Sequence, residues 1–285
     1  MRRNWSNPCC LGAAALFASL VFLAVPALSG SGESEIAARL TKVVAGDHRA
    51  DDNKARDRYR HPVETLAWLG MKPDMTVVEL SPGGGWYTEI LAPYLRKEGK
   101  LYAAGFNPKS EVEYRRKGAK RYADKLAANP EIYDKIEVTI LEPPDKLEIA
   151  PAGSADMIVT FRNFHGWMDG SDKVDIILRA VFRTLKPGGV FGVVQHRGNG
   201  SAPQDPKAES GYINQDHVIA LAKKAGFEFV ASSEINANSA DDADHPEGVW
   251  TLPPSLALED KDREKYLAIG ESDRMTLKFR RPASS

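Results

Sequence analysis

The sequence predicts an α/β fold built on a mostly parallel sheet with helices on both faces, and three observations carry that expectation. Seven short runs rich in apolar and β-branched residues read as strands. Segments long enough for helices separate most of them, as the crossovers between parallel strands require. A glycine turn, Pro82-Gly83-Gly84-Gly85, joins the first of these strands directly to a helix.

Taken in order, residues 33–46 read as a short amphipathic helix, with Ile36, Leu40, Val43 and Val44 at helical spacing. A densely charged stretch, 51–60, follows. Pro62 suits the first turn of a helix that runs to about Leu69. Strands are expected at 76–80, 100–106, 136–141, 155–161, 190–194, 227–235 and 275–280. Helices are expected at 86–97, 110–129, 173–185 and 216–225. Lys186-Pro187-Gly188-Gly189 and Gly226 stop the last two. Between the sixth and seventh strands lie roughly forty residues (236–273) rich in Asp, Pro and Gly, and a connection of that length inside a compact domain is usually functional.

The chain has 285 residues, 38 basic against 39 acidic, and 42% hydrophobic residues, an ordinary globular balance. A near-zero net charge argues against a nucleic-acid partner, which needs a basic surface. The N-terminus departs from this average. Arg2-Arg3, an apolar run from Leu11 to Leu28 and a small-residue exit at Ser29-Gly30 describe a secretory signal peptide over 1–29, with an uncleaved membrane anchor as the alternative. Cleavage would leave one domain, 30–285, with no stable membrane insertion and a periplasmic location. Arg2-Arg3 also resembles, weakly, a twin-arginine export signal. Both cysteines, Cys9 and Cys10, lie in this segment. Without Arg2 and Arg3 the balance becomes 36 basic to 39 acidic, a net charge of −3. A chain from 30 onward has no disulfide and no thiolate, which suits an oxidising compartment.

The densest local signal is Val77-Val78-Glu79-Leu80-Ser81-Pro82-Gly83-Gly84-Gly85-Trp86-Tyr87-Thr88. Glycines let a backbone pass close to a ligand, and the helix N-terminus beyond offers free N–H groups; tight strand–helix packing alone is the other reason for glycines there. The arrangement resembles class I S-adenosylmethionine-dependent methyltransferases, and in particular an exported group carrying Asp57-Arg58-Tyr59-Arg60-His61-Pro62 and Pro82 to Glu89. Glu79 matches the family's acid, Gly83 and Gly85 two of its three glycines, and Thr88 its helix hydroxyl, while Ser81 stands at the first glycine. Further matches are Ala155-Asp156 opening the fourth strand, the turn at 185–189, and the region 212–229. The resemblance implies a Rossmann-like sheet of seven strands with an antiparallel last strand, S-adenosylmethionine as cofactor, and a small-molecule methyl acceptor.

The sequence departs from that family at the second strand. Where an acid usually meets the ribose, this chain has Gly105, and Asn107 two residues on offers fewer acceptors. Glu142 and Asp145, after the third strand, are candidates to meet the adenine amino group.

Ligands of open α/β sheets sit beyond the C-terminal strand ends. That selects Arg162 and His165 after the fourth strand, and His196 and Arg197 after the fifth. A histidine titrating near neutrality suits a proton acceptor, with His165 placed before His196, although each can instead cap a strand end. Arg162 is assigned to the cofactor. Arg162 and Arg197 can equally bind an acidic substrate or pair with loop carboxylates. Trp86, Tyr87 and Trp167 either wall an acceptor pocket or pack the core. Residues 57–61, within an N-terminal helical segment (33–70), are either a substrate lid or a solvated charged face. The insertion at 236–273 is read as a second cover, His245 and Trp250 included. Asp241, Asp242, Asp244 and His245 have metal-capable side chains, but no metal site is expected. Competing readings are a non-catalytic exported module that binds a nucleoside-like or other small ligand, and a nicotinamide-dependent oxidoreductase. Gly105 disfavours the latter, which also uses an acid there. Neither the acceptor nor the oligomeric state is readable.

Overall fold

The computed structural model describes residues 30–283. The expected signal segment, 1–29, and both cysteines lie outside the described residues. Among the described residues no helix is long and apolar enough to cross a membrane.

Seven strands form one sheet: β1 (Thr76–Leu80), β2 (Lys100–Gly105), β3 (Ile136–Ile140), β4 (Ala155–Phe161), β5 (Leu185–His196), β6 (Glu228–Ser233) and β7 (Arg274–Arg280), in the order β3-β2-β1-β4-β5-β7-β6. Pairing is parallel except that β7 runs antiparallel to both β5 and β6. The central strands are continuous apolar runs because both faces are covered. Val78 and Leu80 pack with Ile158, Phe191 and Leu277 on one face, whereas Val77 packs with Leu101, Met157 and Val159 on the other. Alternate residues of each strand thus supply two separate cores. The edge strands β3 and β6 are only half buried, leaving Val138 and Val230 exposed.

The helices are α1 (Gly30–Val44), α2 (Asp51–Lys54), α3 (Asp57–Arg60), α4 (Pro62–Leu69), α5 (Thr88–Leu95), α6 (Glu113–Ala128), α7 (Pro130–Tyr133), α8 (Lys173–Thr184), α9 (Gln215–Lys224) and α10 (Arg263–Ile269). Residues of α8 and α9 bury the first face, and those of α1, α4 and α5 the second. Pro62 opens α4 as its position predicts, and Gly70, at φ 88°, closes it.

Three differences from the sequence reading bear on the site. α5 starts at Thr88, not Trp86, because the glycine turn extends through Tyr87. β5 begins at Leu185, which pairs with Ala155; a bulge through Gly188 (φ 79°) then brings Val190 opposite Met157. The insertion 236–273 contains a short 3₁₀ turn (Gly248–Thr251) and α10. Because β6 is parallel to β5 while β7 returns antiparallel, this insertion leaves and re-enters the sheet at the C-terminal ends of the parallel strands. It is pinned there by Asn236, whose Nδ2 donates to Thr65 and Thr276 hydroxyls at 2.9 Å each.

Candidate functional site

Beyond Leu80 the chain turns with Ser81 at φ 49°, Gly83 at φ 59° and Gly85 at φ 77°. The left-handed region costs a side-chain-bearing residue on the order of 1 kcal/mol, so Ser81 is held there by its surroundings; its N–H donates to the Ala104 carbonyl at 2.8 Å. Gly85 is required twice over, since a Cβ would stand 3.2 Å from Tyr122 and Lys125. At Gly83 and Gly84 a Cβ would meet nothing within 4 Å. The turn therefore exposes bare backbone to open space on its ligand side.

Glu79 and Thr88 lie beneath this turn and line neither of the cavities described next. The Thr88 hydroxyl donates to the Glu79 carboxylate at 2.6 Å, with the Tyr122 hydroxyl 3.2 Å from Thr88 Oγ1. Burial pushes the Glu79 carboxyl up to about 7, against the opposing effects of the Thr88 donor and Lys125.

Two cavities of about 390 and 360 Å³ open at the C-terminal ends of β1 and β4, and they share Ser81, Arg162, Asn163 and His165. The first extends past the ends of β2 and β3 to Phe106, Asn107, Leu141 and Glu142. Asn107 Nδ2 donates to Glu142 Oε2 at 2.5 Å, and Asn107 Oδ1 accepts from the Lys109 N–H at 3.0 Å. Burial raises the Glu142 carboxyl, but donors from Asn107 and Ser110, with Lys146 and Arg115 nearby, outweigh it and hold the group below its ordinary range. A carboxylate thus stands beside Asn107 although the second strand ends in Gly105. Asp145 is exposed and lines neither cavity.

The second cavity lies over the glycine turn, between the N-terminal segment and the insertion. Asn53, Arg56, Arg60 and Trp86 line it from one side, Trp250, Pro253 and Pro254 from another, and His196, Glu271 and Ser272 lie at its floor. Insertion residues therefore form one wall of it, and the charged stretch is only partly solvated: Arg58 is exposed, but Arg60 is 1% exposed and Asp57 pairs with Arg49 at 2.6 Å. Trp86 is held by an N–H bond to the Asn53 carbonyl at 3.1 Å, Tyr87 stacks on Phe161, and Trp167 packs on Phe164 while lining the first cavity.

The two histidines stand with ring centroids 5.5 Å apart. Gln195 accepts the Phe164 N–H through Oε1 and donates to the Gly211 carbonyl through Nε2, which fixes its amide orientation. Its Nε2, 3.3 Å from His165 Nδ1, then faces a lone pair, so neutral His165 carries its hydrogen on Nε2. Burial, with Arg162 adding repulsion against the Gln195 contact, pushes His165 down to about 4. His196 Nδ1 lies 2.5 Å from Ser272 Oγ, and burial followed by Arg162 and His165 holds it well below the ordinary imidazole value. Both rings are neutral at pH 7.

Arg162 sits at φ 62° with its N–H on the Val194 carbonyl, and its guanidinium makes no hydrogen bond or ion pair among the described residues. Arg197, by contrast, is taken by Asp273 and Glu234 at 2.7 Å each. In the insertion, Asp241, Asp242 and His245 bring ligand atoms within 4.8 Å of one another. Asp241 already accepts from Tyr212, His245 and the Asp273 amide, an arrangement that ties the loop together. Sequence reasoning missed Asn53, Arg56, Glu271 and Ser272, which no local motif marks.

No family model matches the chain, and none of the curated proteins does. Solved structures do. An S-adenosylmethionine-dependent methyltransferase from Aquifex aeolicus superposes with a TM-score of 0.53 at 15% identity, over 86% of this chain and 98% of the other. The cyclase SpnF gives 0.55 at 15%, over 89% and 95%. The fold is that of the class I methyltransferases. A phosphoethanolamine N-methyltransferase from Haemonchus contortus, solved with S-adenosylmethionine, gives 0.52 at 14% identity over 79% of this chain and 53% of its own. One methyltransferase fold among these is described as a cyclase, so the reaction has to be argued from the site and not from the fold.

Proposed function

We propose that the protein transfers a methyl group from S-adenosylmethionine to a small-molecule acceptor. The observation that carries this reading is the meeting of two similar cavities at Ser81, Arg162, Asn163 and His165, as a reaction between two bound molecules requires. The residues fit the cofactor. Asn107 and Glu142 offer acceptors for hydroxyl and amino donors in the first cavity, and the open backbone at Gly83 and Gly84 can receive a polar end. S-adenosylmethionine, when bound, supplies a methyl group already activated on a sulfonium.

The chain's own tasks are then to align the acceptor, exclude water and take up a proton. Asn163 holds the strand ends together, donating to the Leu80 carbonyl at 2.9 Å and Thr160 Oγ1 at 3.1 Å. Trp250 and the prolines of the insertion shield the second cavity. His165, with its hydrogen on Nε2, is a donor that can orient an acceptor oxygen, so the proton-accepting role passes to His196. His196 fills that role in the tautomer whose Nδ1–H donates to Ser272 Oγ, which leaves the Nε2 lone pair free. Titration of the full chain with S-adenosylmethionine and S-adenosylhomocysteine is expected to show saturable one-to-one binding by calorimetry. Absence of both heat and thermal stabilisation with either compound overturns the reading.

We also propose that residues 1–29 direct export to the periplasm. A fusion of residues 1–30 to a reporter is expected to leave the cytoplasm. Replacing Arg2 and Arg3 with lysine separates the routes, because only twin-arginine export is lost by that change. A fusion retained in the cytoplasm refutes the proposal.

A further inference from the structure

We infer that the second cavity holds its small-molecule substrate by an oxyanion, a carboxylate or a phosphate, seated on Arg56 and Arg60. The word substrate rests on the methyl-transfer reading; the anion site itself does not.

The charges do not balance. Four guanidinium groups gather around one carboxylate: Glu271 meets Arg56 Nε at 2.6 Å, Arg60 Nε at 3.1 Å and Arg274 Nη2 at 3.0 Å, and Arg162 stands beyond them. Glu271 is the one acid among the described residues that line this cavity. Tyr87, pushed up to about 12 by burial, and the two neutral histidines add no negative charge. Burial raises the Glu271 carboxyl, but the arginines overcome that and bring it down to about 2, so its single charge is fully committed. Burying cations that outnumber their partners is costly unless a counter-charge is added.

The hydrogen bonds do not balance either. Nη1 and Nη2 of Arg60 and Nη2 of Arg56 are buried and find no acceptor among the described residues. Orphaned donors of this kind call for a partner, since each has been stripped of water without gaining an acceptor. Arg60, its side chain 1% exposed, lines the cavity and has its Cζ over the Trp86 ring, 4.6 Å from the centroid. Burial lowers Arg60 to about 10, the mark of a cation short of partners. A planar guanidinium with free N–H groups matches the two oxygens of a carboxylate or phosphate. One bound oxyanion would supply both the missing charge and the missing acceptors.

Arg56 and Arg60 line the second cavity alone, whereas Arg162 lines both and so lies within reach of an anionic end of a ligand in either. Gly83 and Gly84, offered above to the cofactor's polar end, also line the second cavity, so it is saturation with S-adenosylhomocysteine that separates the substrate's anion from the cofactor's own. That second cavity also contains His165 and His196, so an anchored anion would place the rest of its molecule beside a hydrogen-bond donor and a proton acceptor.

The full chain, saturated with S-adenosylhomocysteine, is titrated at low ionic strength with inorganic phosphate and, separately, with malonate. Saturable binding of at least one is expected, weakened tenfold or more in Arg56→Met, whose side chain is partly exposed and makes one ion pair. Arg60→Lys, which keeps the charge but loses the fork, is expected to weaken it likewise and serves if Arg56→Met fails to fold. The probe that binds more tightly identifies carboxylate or phosphate. No saturable binding of either probe, binding unchanged in both variants, or binding abolished by S-adenosylhomocysteine overturns the inference, the last because the anion site would then be the cofactor's own. If S-adenosylhomocysteine does not bind, the titrations are run on the protein alone. Anion binding that depends on Arg56 and Arg60 then upholds this site while the methyl-transfer reading falls.

Discussion

Glu142→Ala is expected to raise the Kd for S-adenosylhomocysteine by roughly ten- to a hundredfold, the value of one hydrogen-bond partnership with a charged group. Glu142 is the carboxylate in the first cavity that pairs with Asn107, and donors from Asn107 and Ser110 keep it ionised. Its side chain is 21% exposed, so removing it opens no core cavity, and the melting temperature is expected to move little. Asp145→Ala is the matched control. Asp145 is exposed and lines neither cavity, and its loss is expected to leave the Kd unchanged. Calorimetry on the three proteins decides the matter. Wild-type affinity in Glu142→Ala would mean that the missing acid of the second strand has no substitute on the third.

Why Glu142 takes that place follows from the parallel register. β2 and β3 are neighbours in the sheet, with Gly105 opposite Ile140. Asn107 and Glu142 are each two residues past that pair, so they emerge side by side. Sequence reading marked both residues, but it could not supply the register that joins them. The strands themselves were legible because buried parallel strands are continuous β-branched runs, and β1 and β4 fall at the expected boundaries. The glycine turn was legible too, and the structure adds that Ser81, standing at the first glycine's place, takes the left-handed conformation. The insertion was only partly so. Its place followed from topology, but α10 spans seven residues, too few to show a helical period.

The arginine cluster was illegible for a different reason. Arg56 and Glu271 are separated by 215 residues, and only the packing of the N-terminal segment against the insertion brings them to 2.6 Å. Local charge along 57–61 left a substrate lid and a solvated face both open, because a sequence shows the charges but not the carboxylate that draws them inward. Likewise, His165 carried no mark of its tautomer, and that assignment required Gln195, whose amide is fixed by two backbone partners.

Glu79→Gln is expected to become more stable relative to wild type as pH rises. Burial lifts the Glu79 carboxyl from an ordinary value of 4.5 to about 7. Between those values the folded state holds a proton that the unfolded chain has released. The contribution of this group is therefore fully present below pH 4.5 and is lost as pH rises through 7. Two and a half pH units correspond to about 3 kcal/mol, an upper figure for a site that relaxes on ionising. Glutamine keeps an oxygen for the Thr88 hydroxyl and nearly the same volume, but it has no proton to lose. His165 and His196 act in the opposite sense. Their lowered values favour protonation of the unfolded chain, so their contribution is lost as pH falls below about 6.5. They are common to both proteins and cancel in the difference. Urea unfolding of each protein at pH 4.5, 6, 7 and 8 should show the stability of Glu79→Gln minus that of wild type climbing by about 3 kcal/mol across the series. A flat difference would mean that Glu79 is ionised throughout, with Lys125 as its counter-charge. The acid beneath the glycine turn would then be a fixed negative charge under the ligand site, and not a group that is half neutral at physiological pH.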